Sequence, residues 1–197
     1  MQLIKGLFLL ILFSFSGSQE STEEYAINVQ ENTVHVPKAA LILNALEGKW
    51  YYKDKPFSGE AITYHSNKKL KESIQFVHGK KQGEAQKWFE NGQIRKRAFY
   101  ISNKLDGVVK VWWSNGELAS QSSYANGVLH GVQWKWHKNG QVAKKKHISY
   151  GKENGIQQAW LKNGKLYVNY EARNGRTFGL QRANLCYTLK DEKVVEK

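Results

Sequence analysis

Gly83-Glu-Ala-Gln-Lys-Trp-Phe-Glu-Asn-Gly92 and Gly107-Val-Val-Lys-Val-Trp-Trp-Ser-Asn-Gly116 are two copies of one pattern, 24 residues apart. Counting Gly59, Gly83, Gly107, Gly131 and Gly155 as offset 0, the pattern holds in five consecutive units. Offset 5 is aromatic throughout: Tyr64, Trp88, Trp112, Trp136 and Trp160. Offset 8 is asparagine throughout: Asn67, Asn91, Asn115, Asn139 and Asn163. Offset 9 is Lys68 and then Gly92, Gly116, Gly140 and Gly164; offset 11 is Leu70, Ile94, Leu118, Val142 and Leu166. Offset 20 is Gly79, Asn103, Gly127, Gly151 and Gly175. Of 17 glycines, 14 fall on offsets 0, 9 and 20 once Gly179, which opens a sixth unit, is counted, so glycine marks turns and is not flexible filler.

Asn-Gly between two hydrophobic stretches is a hairpin signal, because Asn tolerates turn geometry and Gly takes positive φ. A three-residue loop at offsets 7–9 puts Gly where a type I turn with a G1 bulge needs its left-handed residue. That register sets offset 5 opposite offset 11, an aromatic against an aliphatic residue. The two-residue period then predicts offset 17 (Phe76, Tyr100, Tyr124, Ile148, Ala172) on the aromatic face. Offsets 4, 6, 12 and 14 are predicted on the other face, which is mixed, basic and partly aromatic. The expected fold is all-β: an elongated antiparallel meander of tandem hairpin repeats in a single-layer twisted sheet. Two strands per repeat at about 4.8 Å each imply a sheet about 48 Å long.

Outside the array, Lys5 precedes an apolar run over residues 6–15 and then Ser16-Gly17-Ser18. This reads as a secretory signal peptide over residues 1–18, too short to span a bilayer, which leaves no transmembrane segment after cleavage. The expected location is the periplasm or the extracellular space. Residues 19–47 are expected to cap the array, with Ala39 to Leu46 as a short helix or an edge strand. Residues 48–178 form the array: a half-repeat over 48–58, with a strand at Trp50 to Tyr52 and a turn at Lys53 to Pro56, and then the five full units. Residues 179–197 are a C-terminal cap and tail, with an edge strand at Leu185 to Leu189. The lone Cys186 rules out an intramolecular disulfide and reads as a half-buried apolar residue.

The units resemble the bacterial MORN repeat variant, with G-x-W-x-x-Y/W-x-x-N-G-x-L followed by Y-x-x-G-K-x-x-G, over residues 48 to about 180. The resemblance implies a hairpin per repeat and contact with proteins or lipids, and it extends to the YwqK-type antitoxin family, which implies an immunity role as the alternative.

The sequence has no G-x-S-x-G, H-E-x-x-H, P-loop or G-x-G-x-x-G motif, and its carboxylates are scattered, so no catalytic, metal or cofactor site is expected. Charge points to binding. Residues 59–178 hold 21 Lys/Arg and 8 Asp/Glu, a net +13, whereas residues 19–58 are net −2. Such a basic array suits a protein partner or an anionic envelope component, a lipid headgroup or acidic polysaccharide. Export weighs against nucleic acid. The expected binding residues on the basic face are Lys87, Phe89, Arg95, Arg97, Trp113, Lys135 and Lys145, with Phe89 and Trp113 as a local exposed patch.

Overall fold

The computed structural model describes residues 33–180, 187–190 and 193–196. Save Thr33, these belong to the second of two compact units, Val34–Lys197. The expected signal peptide, residues 19–32 of the expected cap, and Cys186 lie outside the described residues. No described helix is long and apolar enough to cross a membrane.

The described chain is nearly all strand. β1 (His35–Pro37), a 3-10 turn (Lys38–Ala40), β2 (Ile42–Asn44), β3 (Lys49–Tyr52) and β4 (Lys55–Pro56) precede the array. The first three repeats supply β5 (Gly59–Tyr64), β6 (Leu70–Val77), β7 (Lys80–Trp88), β8 (Ile94–Ile101), β9 (Lys104–Leu105), β10 (Gly107–Trp112) and β11 (Leu118–Ala125). Next come β12 (Val128–Leu129), β13 (Gly131–Trp136), β14 (Val142–Ser149), β15 (Lys152–Trp160), β16 (Leu166–Arg173) and β17 (Arg176–Leu180). β5 to β17 follow one another across a 14-stranded sheet as an antiparallel meander; β1 closes its first edge in parallel with β5. Among the described residues the sheet ends at β17, and the described part of the expected edge strand at Leu185 to Leu189 lies in β18 (Tyr187–Lys190), which pairs with β19 (Lys193–Glu196) in a separate two-stranded sheet.

The turn at offsets 7–9 has the expected form, and a turn also stands at offset 20. The N–H of offset 9 donates to the carbonyl of offset 6 (Gly92 to Phe89, 2.9 Å), and that of offset 6 donates to offset 10 (Phe89 to Gln93, 2.8 Å). Offset 9 takes positive φ, 91° at Gly92 and 64° at Lys68, the form a three-residue loop with a left-handed third residue requires. At the other end two consecutive residues have positive φ, such as Asn126 (51°) and Gly127 (85°), as in a type I′ turn. The half-repeat turns the same way at Lys53 and Asp54, with Lys55–Pro56 already extended.

The asparagine at offset 8 has no positive φ. It is held there by two hydrogen bonds of opposite sense. Its Oδ1 accepts from the backbone N–H of offset 10 in all five units, at 3.0 to 3.3 Å. Its Nδ2 donates to the offset-7 carbonyl of the next repeat, from Asn67 to Glu90 (3.0 Å), Asn91 to Ser114 (3.2 Å) and Asn139 to Lys162 (3.1 Å). Asp could do the first but not the second, because a carboxylate only accepts, so the side-chain amide stitches repeat to repeat. On the opposite edge the offset-20 N–H donates to the preceding repeat, as Gly127 does to Leu105 (2.7 Å).

Offset 5 faces offset 11 in every hairpin: Tyr64 with Leu70, Trp88 with Ile94, Trp112 with Leu118, Trp136 with Val142 and Trp160 with Leu166. Immediately beyond, the register slips. Lys87 opposes Lys96, so Arg95 is an extra residue, a β-bulge; Lys71, Ala119, Ala143 and Tyr167 take the same place. One extra residue reverses the alternation. Offsets 13, 15 and 17 therefore share a face with offsets 0, 2 and 4, while offset 14 joins offsets 3, 5 and 11. The expected placement of offset 17 on the aromatic face, and of offset 14 opposite it, is thus wrong, because the two-residue count runs through a bulge.

The burial follows this corrected geometry. Ala61, Ile74, Phe76, Ala98, Val109, Ala159 and Ala172 are buried, all on the face away from the aromatic column. The aromatic column packs sideways on its aliphatic partners but stays partly open, with Tyr64 56 % exposed. At the first repeat the sheet is not a single layer. The three-stranded sheet of β2, β3 and β4 lies over it, and Val36, Leu41, Phe57, Ala61, Ile74 and Phe76 form one core against Trp50 and Tyr52. Trp50 and Phe57 each meet the Phe76 ring, at 6.1 and 5.8 Å. Gly79, at φ 79°, threads between them: its N–H donates to Phe57 and its carbonyl accepts from Trp50, both at 2.7 Å.

Two stability tests follow from these contacts. Asn91→Asp keeps the acceptor but turns a carboxylate toward the Ser114 carbonyl, so it should lose about 1 kcal/mol in urea unfolding, as much as Asn91→Ala. Tolerance of Asp would reduce the residue to a turn former. A Cβ at Gly79 would lie 2.9 Å from the Trp50 carbonyl oxygen and 3.0 Å from Lys49 Cβ, whereas one at Gly175 meets nothing within 4 Å. Gly79→Ala should therefore cost about 2 kcal/mol or more and Gly175→Ala only about 1 kcal/mol. Equal losses would show that backbone conformation alone matters at both.

Candidate anion-binding face

The bulge sorts the charges as well as the core. Lys71, Lys81, Lys87, Arg95, Lys96, Lys135, Lys144 and Lys146 share the face of the buried alanines, against Glu72 and Glu153. Of the seven expected binding residues, Lys87, Phe89, Arg95, Trp113 and Lys135 belong to this face. Arg97 and Lys145 do not. Both stand at offset 14, Arg97 ion-paired to Glu84 (2.9 Å) and Lys145 with its ammonium 4.9 Å from the Trp134 ring centre, among the tryptophans. Trp134 stacks on Trp136 with ring centres 6.0 Å apart.

Phe89 and Trp113 do not form an exposed patch. Both are half-buried, with the Arg95 guanidinium 5.6 Å over Phe89 and the Lys138 ammonium 5.6 Å over Trp113. The other members of this column explain why. His65 and His137 turn Nε2 to the carbonyls of Trp88 (3.0 Å) and Trp160 (2.9 Å) in the next repeat; a carbonyl only accepts, so Nε2 carries the proton. Offset 6 is an inter-repeat packing position.

Two cationic clusters stand out. In the first, Lys38 from the 3-10 turn reaches Glu72 at 2.5 Å, and Lys87 reaches its other oxygen at 2.8 Å. Glu72 is 8 % exposed. Burial pushes its pKa up, but the hydrogen bonds from Lys38 and Lys87 outweigh it and hold the carboxyl below the ordinary range. Lys81 and Lys96 complete a cavity of about 170 Å³ with Ala85, Ala98 and Tyr100. Burial first, and then the neighbouring ammonium groups, lower the pKa of Lys81 and Lys96. Burial raises that of Tyr100, whose ring lies 5.3 Å from the Lys81 ammonium. The second cluster gathers Lys144, Lys146, Gln157, Tyr167 and Tyr170 around a cavity of about 200 Å³. Beside it Glu153 accepts from Lys146 (2.7 Å) and from the Tyr170 hydroxyl (2.6 Å). Burial, then that hydrogen bond, pushes Tyr170 up to about 12.

Sequence reasoning missed Lys38, Glu72, Lys81, Lys96, Lys144 and Lys146. Lys96 and Lys144 sit at offset 13, which joins this face only because of the bulge. Lys38 lies before the array and arrives by the folding of the cap. The third repeat, which presents Val109, Val111, Ser120, Ser122 and Tyr124 here, separates the clusters with an uncharged strip. From β8 to β14 is four strand steps, about 19 Å across the sheet.

No curated protein matches this chain. The family model described as MORN repeat variant matches residues 57–78, 81–102 and 105–126. Each match begins two residues before an offset-0 glycine and ends on the first residue of the two-residue turn, so the family unit and the structural hairpin coincide. Residues 57–126 thus match the MORN repeat variant model in three tandem copies.

Proposed function

We propose that this protein is an exported, non-enzymatic scaffold that holds an acidic partner, a protein or an anionic envelope polymer, against the basic face of its repeat sheet. MORN repeats point to a binding role. One observation carries the finer reading: the bulges bring Lys96, Lys144 and Lys146 onto the face that already carries Lys81, Lys87 and Lys135, and the cations there form two clusters with only Glu72 and Glu153 among them. A partner that is itself extended and multiply charged can engage both clusters at once, which raises avidity without new contacts. The immunity or antitoxin alternative has no feature of this surface to favour it.

Two double variants with the same change in net charge test the face. Lys144→Glu/Lys146→Glu alters the basic face; Arg97→Glu/Lys145→Glu alters the aromatic one. At about 1 kcal/mol per cation near an anionic surface, the first should elute from an immobilised acidic polysaccharide at far lower salt and lose its partners in a crosslinking pull-down. The second should lose much less, and equal loss would reject the face. Mass spectrometry of protein recovered from the periplasm or medium should find a chain starting at Gln19; retention of residues 1–18 in the cytoplasm would reject export.

A further inference from the structure

The first cluster is more than a patch of positive charge. Four lysines from three parts of the chain converge on one cavity: Lys38 from the cap, Lys81 and Lys87 from β7, and Lys96 from β8. The only carboxylate lining it is Glu72, and both of its oxygens are already committed, to Lys38 and Lys87. Among the described residues neither Lys81 nor Lys96 has a carboxylate within ion-pairing distance. Two half-buried ammonium groups are thus held together, close to like charges and short of counter-charge. Such an arrangement costs stability in the free protein and is relieved by an anion.

We propose that this cavity is a binding site for a phosphate monoester group, held by Lys81 and Lys96, with Tyr100 at its wall. The reading rests on the basic face as a binding surface and narrows it to one ligand chemistry at one place. Charge selects the ligand. Four ammonium groups against one carboxylate leave three positive charges. A phosphate monoester brings close to two negative charges and three acceptor oxygens, where a carboxylate brings one and two. Lysine holds such a group as a point charge and needs no bidentate fork. Tyr100 offers a phenol hydroxyl that can donate, and burial only raises its pKa further.

Calorimetric titration with inorganic phosphate at physiological salt tests the site on the full chain. Binding to the unaltered protein should weaken about tenfold or more in Lys96→Met, be largely restored in Lys96→Arg, and be unchanged in Lys144→Met of the other cluster. The melting temperature without phosphate should not fall in Lys96→Met, which relieves crowding. Binding that is equal in all four proteins is diffuse screening and overturns the proposal. Vesicles of phosphatidylcholine with phosphatidic acid separate the sources of the phosphoryl group. Capture that inorganic phosphate competes away identifies a lipid headgroup in the site, and phosphate binding without capture identifies a soluble monoester; capture that phosphate does not compete overturns the pocket. Failure here leaves the scaffold reading testable on its own, because Lys144→Glu/Lys146→Glu acts on the second cluster.

Discussion

One surplus residue per hairpin governs what this protein presents to its surroundings. The strand after each Asn-Gly turn is one residue too long for the strand before it, and the bulge at Lys71, Arg95, Ala119, Ala143 and Tyr167 absorbs the excess. Because side chains alternate with a period of two, that single residue reassigns every later position of the strand to the other face. Small buried residues and lysines come to share one side. Tryptophans and their aliphatic partners keep the other. Without the bulge Arg97 and Lys145 would stand with Lys87 and Lys135, Lys96 and Lys144 would not, and neither cationic cavity would exist.

Much of the architecture was legible in the sequence, and the limit of legibility has a physical cause. The period, both turns and the aromatic-to-aliphatic pairing could be read because each depends on a residue type that its geometry demands: Gly where φ is positive, an aromatic where a flat partner is needed. The bulged position makes no such demand. Lys, Arg, Ala and Tyr all occupy it, so no pattern betrays it, and the face count that passes through it goes astray. The candidate site suffered accordingly. The sequence pattern puts Lys87, Lys135 and Arg95 on the basic face, where the structure has them, but it passes over Lys96 and Lys144 and puts Arg97 and Lys145 on the wrong side. Lys38 was beyond reach for a different reason, since only the tertiary packing of the cap brings it to Glu72.

The asparagines show a subtler limit. The residue type was recognised and given a turn-forming role, yet the turn leaves its backbone in an ordinary conformation. What requires Asn is a neighbour 24 residues away, a carbonyl needing a donor from a side chain that must also accept. Stability in this array is therefore mostly a matter between adjacent repeats, with one layered core at the N-terminal end to close it.

That arrangement bears on how such a chain can change over generations. The amide stitches of the offset-8 asparagines run from one unit to the next and end there, so deleting or duplicating a whole unit in the interior gives each of them an equivalent mate. Unequal recombination within the gene would keep both the reading frame and the fold. The spacing between the two lysine clusters, set by the uncharged third repeat, would change by one unit each time, letting the protein be refitted to a longer or shorter partner without altering a single contact inside a repeat.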